Sequence, residues 1–315
     1  MDLHAPLPFR LDPRKFRDPA RTARGEPRAV VVPGKLHTLW FNTGSLCNIA
    51  CRSCYMESSP RDRRLAYLTL AEVEPFLDEA AGLGTGLIGF TGGEPFMNPA
   101  LPAMLDAVLA RGMRALVLTN AMRPMQRLRP RLLALRPQAA RLTLRVSLDH
   151  YSQAGHEAER GPRTWAPAIA GLRWLAAAGF CVHVASRLAA DEPEAAQRAG
   201  FGALFARLGI PVDAADPVAL TLFPTMDATA DVPEITTACW DILHRRPEEL
   251  MCASARMVLR RRDAAAPSVV ACTLLPYDAA FELGGTLREA LRPVALNHPH
   301  CARFCVLGGA ACSRG

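Results

Sequence analysis

The sequence reads as an α/β protein: a parallel sheet covered by helices over most of its length, followed by a small cysteine-rich α+β extension. Three observations carry this. Short β-like runs alternate with helical periods from residue 37 to about 223, and the alternation breaks after 223. The cysteines gather after the first β-like run and in the last 64 residues. Strands separated by helices need crossover connections, which makes them parallel neighbours. At this length the alternation predicts a six-fold (βα) partial barrel or an open doubly wound sheet.

Residues 1–36 hold six prolines and no sustained period, which predicts an extended lead-in. Strands are predicted at 37–42, 87–90, 114–119, 142–148, 181–187 and 218–223 from their apolar, β-branched runs. Between them Leu70, Val73, Phe76, Leu77 and Ala80 keep helical spacing. So do Leu101, Met104, Leu105 and Val108, then Trp165, Ile169, Leu172 and Leu175. Stretches 192–209 and 125–135 complete the alternation. In the fourth strand Leu142, Leu144, Val146 and Leu148 fall on one face, and Arg145, Ser147 and Asp149 on the other. In the fifth, Cys181, His183, Ala185 and Arg187 oppose Val182, Val184 and Leu188. A parallel sheet covered on both faces calls for apolar strands, so a recurring polar face predicts a lumen that holds something polar. His183 and Arg187 are candidate substrate contacts there, and Cys181 reads as a small core residue.

Beyond 223 the pattern changes. Residues 224–237 are rich in turn formers, and runs 256–262 and 268–273 around a 263–267 turn predict a hairpin. A short helix at 286–291 and a cysteine-rich tail follow. The predicted organisation is a lead-in at 1–36, a core domain at 37–234 and an extension at 235–315.

Composition narrows the function classes. With 50% hydrophobic and 21% charged residues in 315, the chain can bury a sizeable core, and disorder is excluded as the dominant state. No run of about 18 apolar residues is present, and residues 1–28 lack an apolar signal-like stretch. The expectation is a cytoplasmic protein with no membrane partner. Ten cysteines in a reducing compartment point to metal rather than disulfides. The net charge of +7 reflects arginine spread along the whole chain, so nucleic acid is not the expected partner. Two locally basic runs, 123–131 and 256–262, read as solvated faces.

The first cysteine group, Cys47, Cys51 and Cys54, has the spacing C-x3-C-x2-C just after the first predicted strand. A structural zinc ion takes four ligands, commonly from paired cysteines, and no fourth Cys or His lies nearby. Three thiolates on one loop leave one iron of a 4Fe-4S cube open to a substrate or cofactor; the alternatives at this spacing are a zinc fragment and a chance arrangement. Directly after the second strand comes Thr91-Gly92-Gly93-Glu94-Pro95. Strand C-terminal ends are where α/β folds place ligands; two glycines permit close backbone approach, and Glu94 supplies an acceptor.

These motifs resemble the radical S-adenosylmethionine (radical SAM) superfamily over roughly 37–223. The resemblance rests on the Cys47, Cys51, Cys54 loop, the Gly92-Gly93-Glu94-Pro95 turn, Thr119-Asn120, Val146-Ser147-Leu148-Asp149 and the segment from His156 to Arg160-Gly161. It implies a partial (βα)6 radical SAM barrel in which Cys47, Cys51 and Cys54 hold a 4Fe-4S cluster whose fourth iron chelates S-adenosyl-L-methionine. It further implies SAM contacts at Gly92, Gly93, Glu94, Asn120, Ser147 and Arg160. The family usually has an aromatic residue directly before the third cysteine; here that position is Ser53, with Tyr55 just after the cysteine.

Cys252, Cys272, Cys301 and Cys305 are separated by 19, 28 and 3 residues, with Cys312 six residues further on. Four such thiolates would satisfy an iron-sulfur cluster or a zinc ion. The arrangement looks like the SPASM/twitch extension of radical SAM enzymes in its one-cluster form, which implies a second 4Fe-4S cluster on those four, with Cys312 the spare thiol. Pro267, where the family usually has glycine, and the final C-x3-C spacing depart from that pattern.

The resemblance implies reductive cleavage of SAM to a 5′-deoxyadenosyl radical that takes hydrogen from an unidentified small molecule or peptide, and a low-potential donor such as flavodoxin or ferredoxin. A nearby auxiliary cluster able to accept an electron favours a net oxidation, the work of an oxidoreductase. The alternatives are a radical methyl or group transferase, and a non-catalytic iron-sulfur or zinc binding module.

Overall fold

The structure, a computed structural model, describes residues 10–189, 191–224 and 226–309. Its core is a nine-stranded sheet in the order β10-β9-β8-β2-β3-β4-β5-β6-β7. The strands are β1 (Val30–Val31), β2 (Thr38–Asn42), β3 (Leu87–Thr91), β4 (Arg114–Thr119), β5 (Leu142–Ser147), β6 (Cys181–Arg187), β7 (Leu220–Phe223), β8 (Ala255–Leu259), β9 (Ser268–Val270), β10 (Glu282–Gly284) and β11 (Val294–Ala295). β2 to β7 pair in parallel, each with the next. This is the partial barrel, with ends that do not pair with each other.

Helices α1 (Leu70–Gly82), α2 (Leu101–Ala110), α3 (Arg123–Arg127), α4 (Arg129–Ala134), α5 (Gln153–Arg160), α6 (Trp165–Ala177) and α7 (Glu194–Leu208) fall between these strands. Each shows its sequence cause. α1 starts at a Thr69 capping box closed by Glu72, and its stripe of Val73, Phe76, Leu77 and Ala80 is buried. α7 stops at Gly209, whose φ of 66° suits glycine. Inside the barrel the Trp40 indole lies against β3, and a Cβ at Gly89 would stand 2.3 Å from it. Arg145 and His183 are register partners on β5 and β6, and Arg145 is fully buried.

The predicted hairpin forms, as β8 and β9 paired antiparallel, and it does more than decorate the fold. β8 joins β2 in parallel, so the sheet runs unbroken from the barrel into the extension. Further ties hold the two together. The Glu79 carboxylate of α1 accepts from the backbone N–H groups of Leu287 and Arg288 at the start of α10 (Leu287–Ala290), and Arg260 reaches Glu72 at 2.7 Å. Two shorter helices, α8 (Cys239–Leu243) and α9 (Met251–Ser254), precede the hairpin.

The expectation that 256–262 forms a solvated face fails at Arg256 and holds at Arg262. Arg256 is 1% exposed, Arg260 pairs with Glu72, and Arg261 pairs with Glu282 at 2.8 Å. Arg256 is buried because β8 enters the sheet beside β2, while Arg260 and Arg261 stay half-buried in their ion pairs and Arg262 is exposed. Residues 10–36 run across the extension: β1 pairs with β11, and the buried Arg28 donates to Glu234 at 2.5 Å.

Candidate functional site

The strands' C-terminal ends gather the predicted residues. β2 runs into the loop bearing Cys47, Cys51 and Cys54, all free thiols. The Gly-Gly turn after β3 lies directly on that loop. Gly93 N–H donates to the Gly44 carbonyl at 2.9 Å and Glu94 N–H to the Leu46 carbonyl at 3.0 Å. A Cβ at Gly93 would come 2.2 Å from the Leu46 oxygen, and one at Gly92 2.5 Å from the Gly44 oxygen. Gly92 also has a φ of 141°, which side-chain-bearing residues rarely adopt. What the paired glycines approach is therefore the backbone of the cysteine loop.

Glu94 is 2% exposed and accepts from Thr119 Oγ1 at 2.7 Å, Asn120 N–H at 2.8 Å and Phe96 N–H at 3.2 Å. Burial pushes its carboxyl up to about 7 against those donors. Asn120 follows β4; its Nδ2 donates to Asn48 at 2.9 Å and lies 3.9 Å from the Cys47 sulfur. Ser147 ends β5.

Arg160 ends α5, a helix the periodicity does not show because it is short and polar; its start is the Ser152 cap. Arg160 meets Asp149 at 2.7 Å, and Arg187 at the end of β6 stands 3.7 Å from the same carboxylate. Burial alone would raise Asp149, but Arg160 and Arg187 hold it below its ordinary value. Ser53 is drawn into this network: Arg187 donates to its hydroxyl, and the hydroxyl donates to Glu159 at 2.5 Å. Arg52 N–H adds a 2.7 Å bond to the Glu159 carbonyl. The cysteine loop is thus clamped between the β3 turn and the end of α5.

A cavity of about 130 Å³ opens beside this network. Ser147, Asp149, Arg160 and Arg187 border it from the barrel, with Tyr55 from the cysteine loop. Leu274 and Phe304 close it from the extension. His183 is not among the lining residues; it sits deeper, beside Arg145, with its Nε2 3.8 Å from the Cys181 sulfur. Cys181 itself is exposed rather than a core residue, because it opens β6 at the far end of the barrel.

Behind Leu274 and Phe304 lies the second cysteine group. Cys252 on α9, Cys272 after β9, and Cys301 and Cys305 on the π-helical turn Cys301–Leu307 line one small, largely apolar pocket. Cysteines up to 53 positions apart in sequence, and brought together by no local pattern, share its walls. Cys312 lies outside the described residues.

Both thiol groups fit iron-sulfur clusters. Burial pushes Cys47 up to about 12 and Cys252 to about 11, and Cys301 well above its ordinary value. Left empty, such thiols stay neutral; as ligands they would be thiolates, whose burial needs a compensating cation. Among the described residues no three Cys, His, Asp or Glu converge tightly enough for a single metal ion.

A partial barrel with an open-cornered thiol loop at its C-terminal mouth defines a class of cofactor-dependent α/β barrel proteins. Residues 41–190 match the family model described as the radical SAM superfamily, so that span resembles a radical SAM domain, and the cofactors of that family are a 4Fe-4S cluster and SAM. Among curated relatives, mycofactocin maturase MftC of Mycobacterium ulcerans is 28% identical over 134 residues, 42% of this chain and 35% of the relative. The subtilosin biosynthesis protein AlbA of Bacillus subtilis, named as antilisterial bacteriocin machinery, is 29% identical over 154 residues, 49% of this chain and 33% of the relative. These matches span about a third of each relative's length. Among solved structures, Streptococcus suis SuiB bound to S-adenosylmethionine superposes with a TM-score of 0.58 at 11% identity, covering 79% of this chain and 63% of SuiB. SuiB has also been solved with its precursor peptide SuiA; that match has a TM-score of 0.51 at 14% identity, covering 62% of this chain and 41% of SuiB. Among the described residues no helix is long and apolar enough to cross a membrane.

Proposed function

We propose that this chain is a radical SAM oxidoreductase that removes hydrogen from a peptide or small molecule bound between its two thiol groups. One observation carries the reading: a single cavity has Asp149, Arg160 and Arg187 on one wall and, on the other, Leu274 and Phe304, which are chain neighbours of Cys272, Cys301 and Cys305. Cys47, Cys51 and Cys54 would hold the SAM-binding cluster, and Cys252, Cys272, Cys301 and Cys305 the auxiliary one. Bound there, these groups supply one-electron reductive cleavage of SAM and an acceptor for the electron that a hydrogen-depleted substrate must lose.

The chain's own residues supply orientation and exclusion of water. Gly92, Gly93 and Glu94 hold the cysteine loop in register with β3, and Asn120 packs against Cys47. Ser147 and Arg160 offer a hydroxyl and a largely covered cation at the cavity wall, which would suit the ribose and carboxylate of SAM. Leu118, Phe223 and Phe304 make the rest of the wall apolar and suited to keeping water from a reactive intermediate. The names of MftC and AlbA, a maturase and a bacteriocin biosynthesis protein, favour a peptide.

The test is anaerobic reconstitution of the full chain with dithionite and SAM. C252A/C272A retains 5′-deoxyadenosine formation and loses about half the bound iron, whereas C47A/C51A/C54A forms no 5′-deoxyadenosine. No 5′-deoxyadenosine from loaded wild-type protein sinks the enzymatic reading in favour of a binding module. Unchanged iron in C252A/C272A removes the auxiliary site.

A further inference from the structure

Arg256 on β8 is one of the largest fully buried side chains of the protein. Its Nε donates to the Ala290 carbonyl at 2.8 Å, its Nη1 to the carbonyls of Cys252 at 2.5 Å and Ala255 at 2.7 Å, and its Nη2 to that of Arg292 at 3.3 Å. Every one of these acceptors is neutral. Four other buried or half-buried arginines each face a carboxylate: Arg28 has Glu234, Arg160 has Asp149, Arg260 has Glu72 and Arg261 has Glu282. Among the described residues no carboxylate pairs with Arg256.

Carbonyl dipoles satisfy its donors and leave its charge uncompensated, and a buried uncompensated charge is strongly disfavoured. The groups whose charge favours the guanidinium are the sulfurs of Cys252 and Cys272. As thiols they carry no charge. As thiolates of a cluster they would supply the anion that the site otherwise lacks.

We propose that Arg256 is a positioning residue for the auxiliary cluster, and that its buried charge raises that cluster's reduction potential. This rests on the auxiliary-site reading given above. A thiolate-ligated cluster gains negative charge on reduction, so a fixed cation in a low-dielectric setting stabilises its reduced form more than its oxidised form. The same side chain fixes the Cys252 backbone by a hydrogen bond, which couples charge and position in one residue.

The experiment uses the full chain in the C47A/C51A/C54A background, in which only the auxiliary cluster reports. Iron and sulfide are counted, and the cluster is titrated potentiometrically with paramagnetic resonance detection. R256M, which keeps an apolar stem, is expected to lower the reduced-to-oxidised ratio at fixed potential about tenfold, equivalent to about 59 mV for a one-electron couple. R256K, which keeps the charge, is expected to stay within about twofold of the background protein. If R256M does not accumulate, R256Q, which retains donors for the Cys252 and Ala290 carbonyls, takes its place. A cluster present with an unshifted potential in the neutral variant overturns the proposal, and so does an equal shift in R256K. A background protein that binds no iron and sulfide overturns the auxiliary-site reading itself.

Discussion

Gly93→Ala tests the packing of the β3 turn on the cysteine loop. An ideal Cβ at this position lies 2.2 Å from the Leu46 oxygen and 2.5 Å from the Ser45 oxygen, whereas comfortable heavy-atom contact begins near about 3.5 Å. Both obstacles are backbone atoms, so no rotamer change relieves them. The turn must retreat by roughly an ångström, overpacking that costs about 1–3 kcal/mol. The retreat also stretches the bonds from Gly93 to Gly44 and from Glu94 to Leu46, each worth about 1 kcal/mol. The sum is a loss of about 3–5 kcal/mol, read by urea denaturation of the apoprotein, together with weaker iron loading at the three-cysteine site. Gly86→Ala is the control: nothing lies within 4 Å of its Cβ and its φ is not in the left-handed region, so its cost stays below about 1 kcal/mol. A Gly93→Ala protein as stable as Gly86→Ala, with full iron loading, would refute the reasoning.

Further outcomes follow from the same geometry. His156 is fully buried against the Trp165 ring, and burial, then Arg160, pulls its pKa down to about 4. A histidine held neutral in the fold but protonated in the unfolded chain makes stability fall as pH drops from about 6.5 toward 4. His156 alone therefore contributes a loss of about 2 kcal/mol between pH 7 and pH 5, and His156→Phe makes the slope of stability against pH shallower in paired urea melts. Arg28→Met leaves the carboxylate of Glu234, whose side chain is 6% exposed, without its cation, a loss of about 3–5 kcal/mol; tryptic cleavage within 10–28 should then become much faster than in the wild type. Ser53→Ala removes the hydroxyl that joins Arg187 to Glu159 and costs about 1 kcal/mol, with thermal melting as the readout and an unchanged midpoint as the contrary result.

Much of the barrel is legible in the sequence because its signals are local. Parallel strands buried on both faces need runs such as Leu39 to Phe41 and Ala115 to Val117, and their covering helices need the 70–80 and 101–108 stripes. Of the polar residues that interrupt this rule, Ser147, Asp149 and Arg187 border the cavity, whereas Arg145 and His183 do not. α5 is less legible, since its eight residues bury only His156. The Ser53 network is not legible at all, because its partners come from α5 and β6, more than a hundred positions away.

By itself the sequence determined the alternation of strands and helices, the three-cysteine loop and the glycine turn, all of them set by neighbours within a few residues. Tertiary structure alone decided that β8 extends the sheet beside β2, and with it that Arg256 is buried, not solvated. It also brought four cysteines spread from 252 to 305 onto one pocket, and set Gly93 against Leu46. The physical reason is the same in each case. Spacing along the chain reports which face a residue takes within its own element, whereas burial, charge compensation and close backbone approach depend on which element arrives opposite.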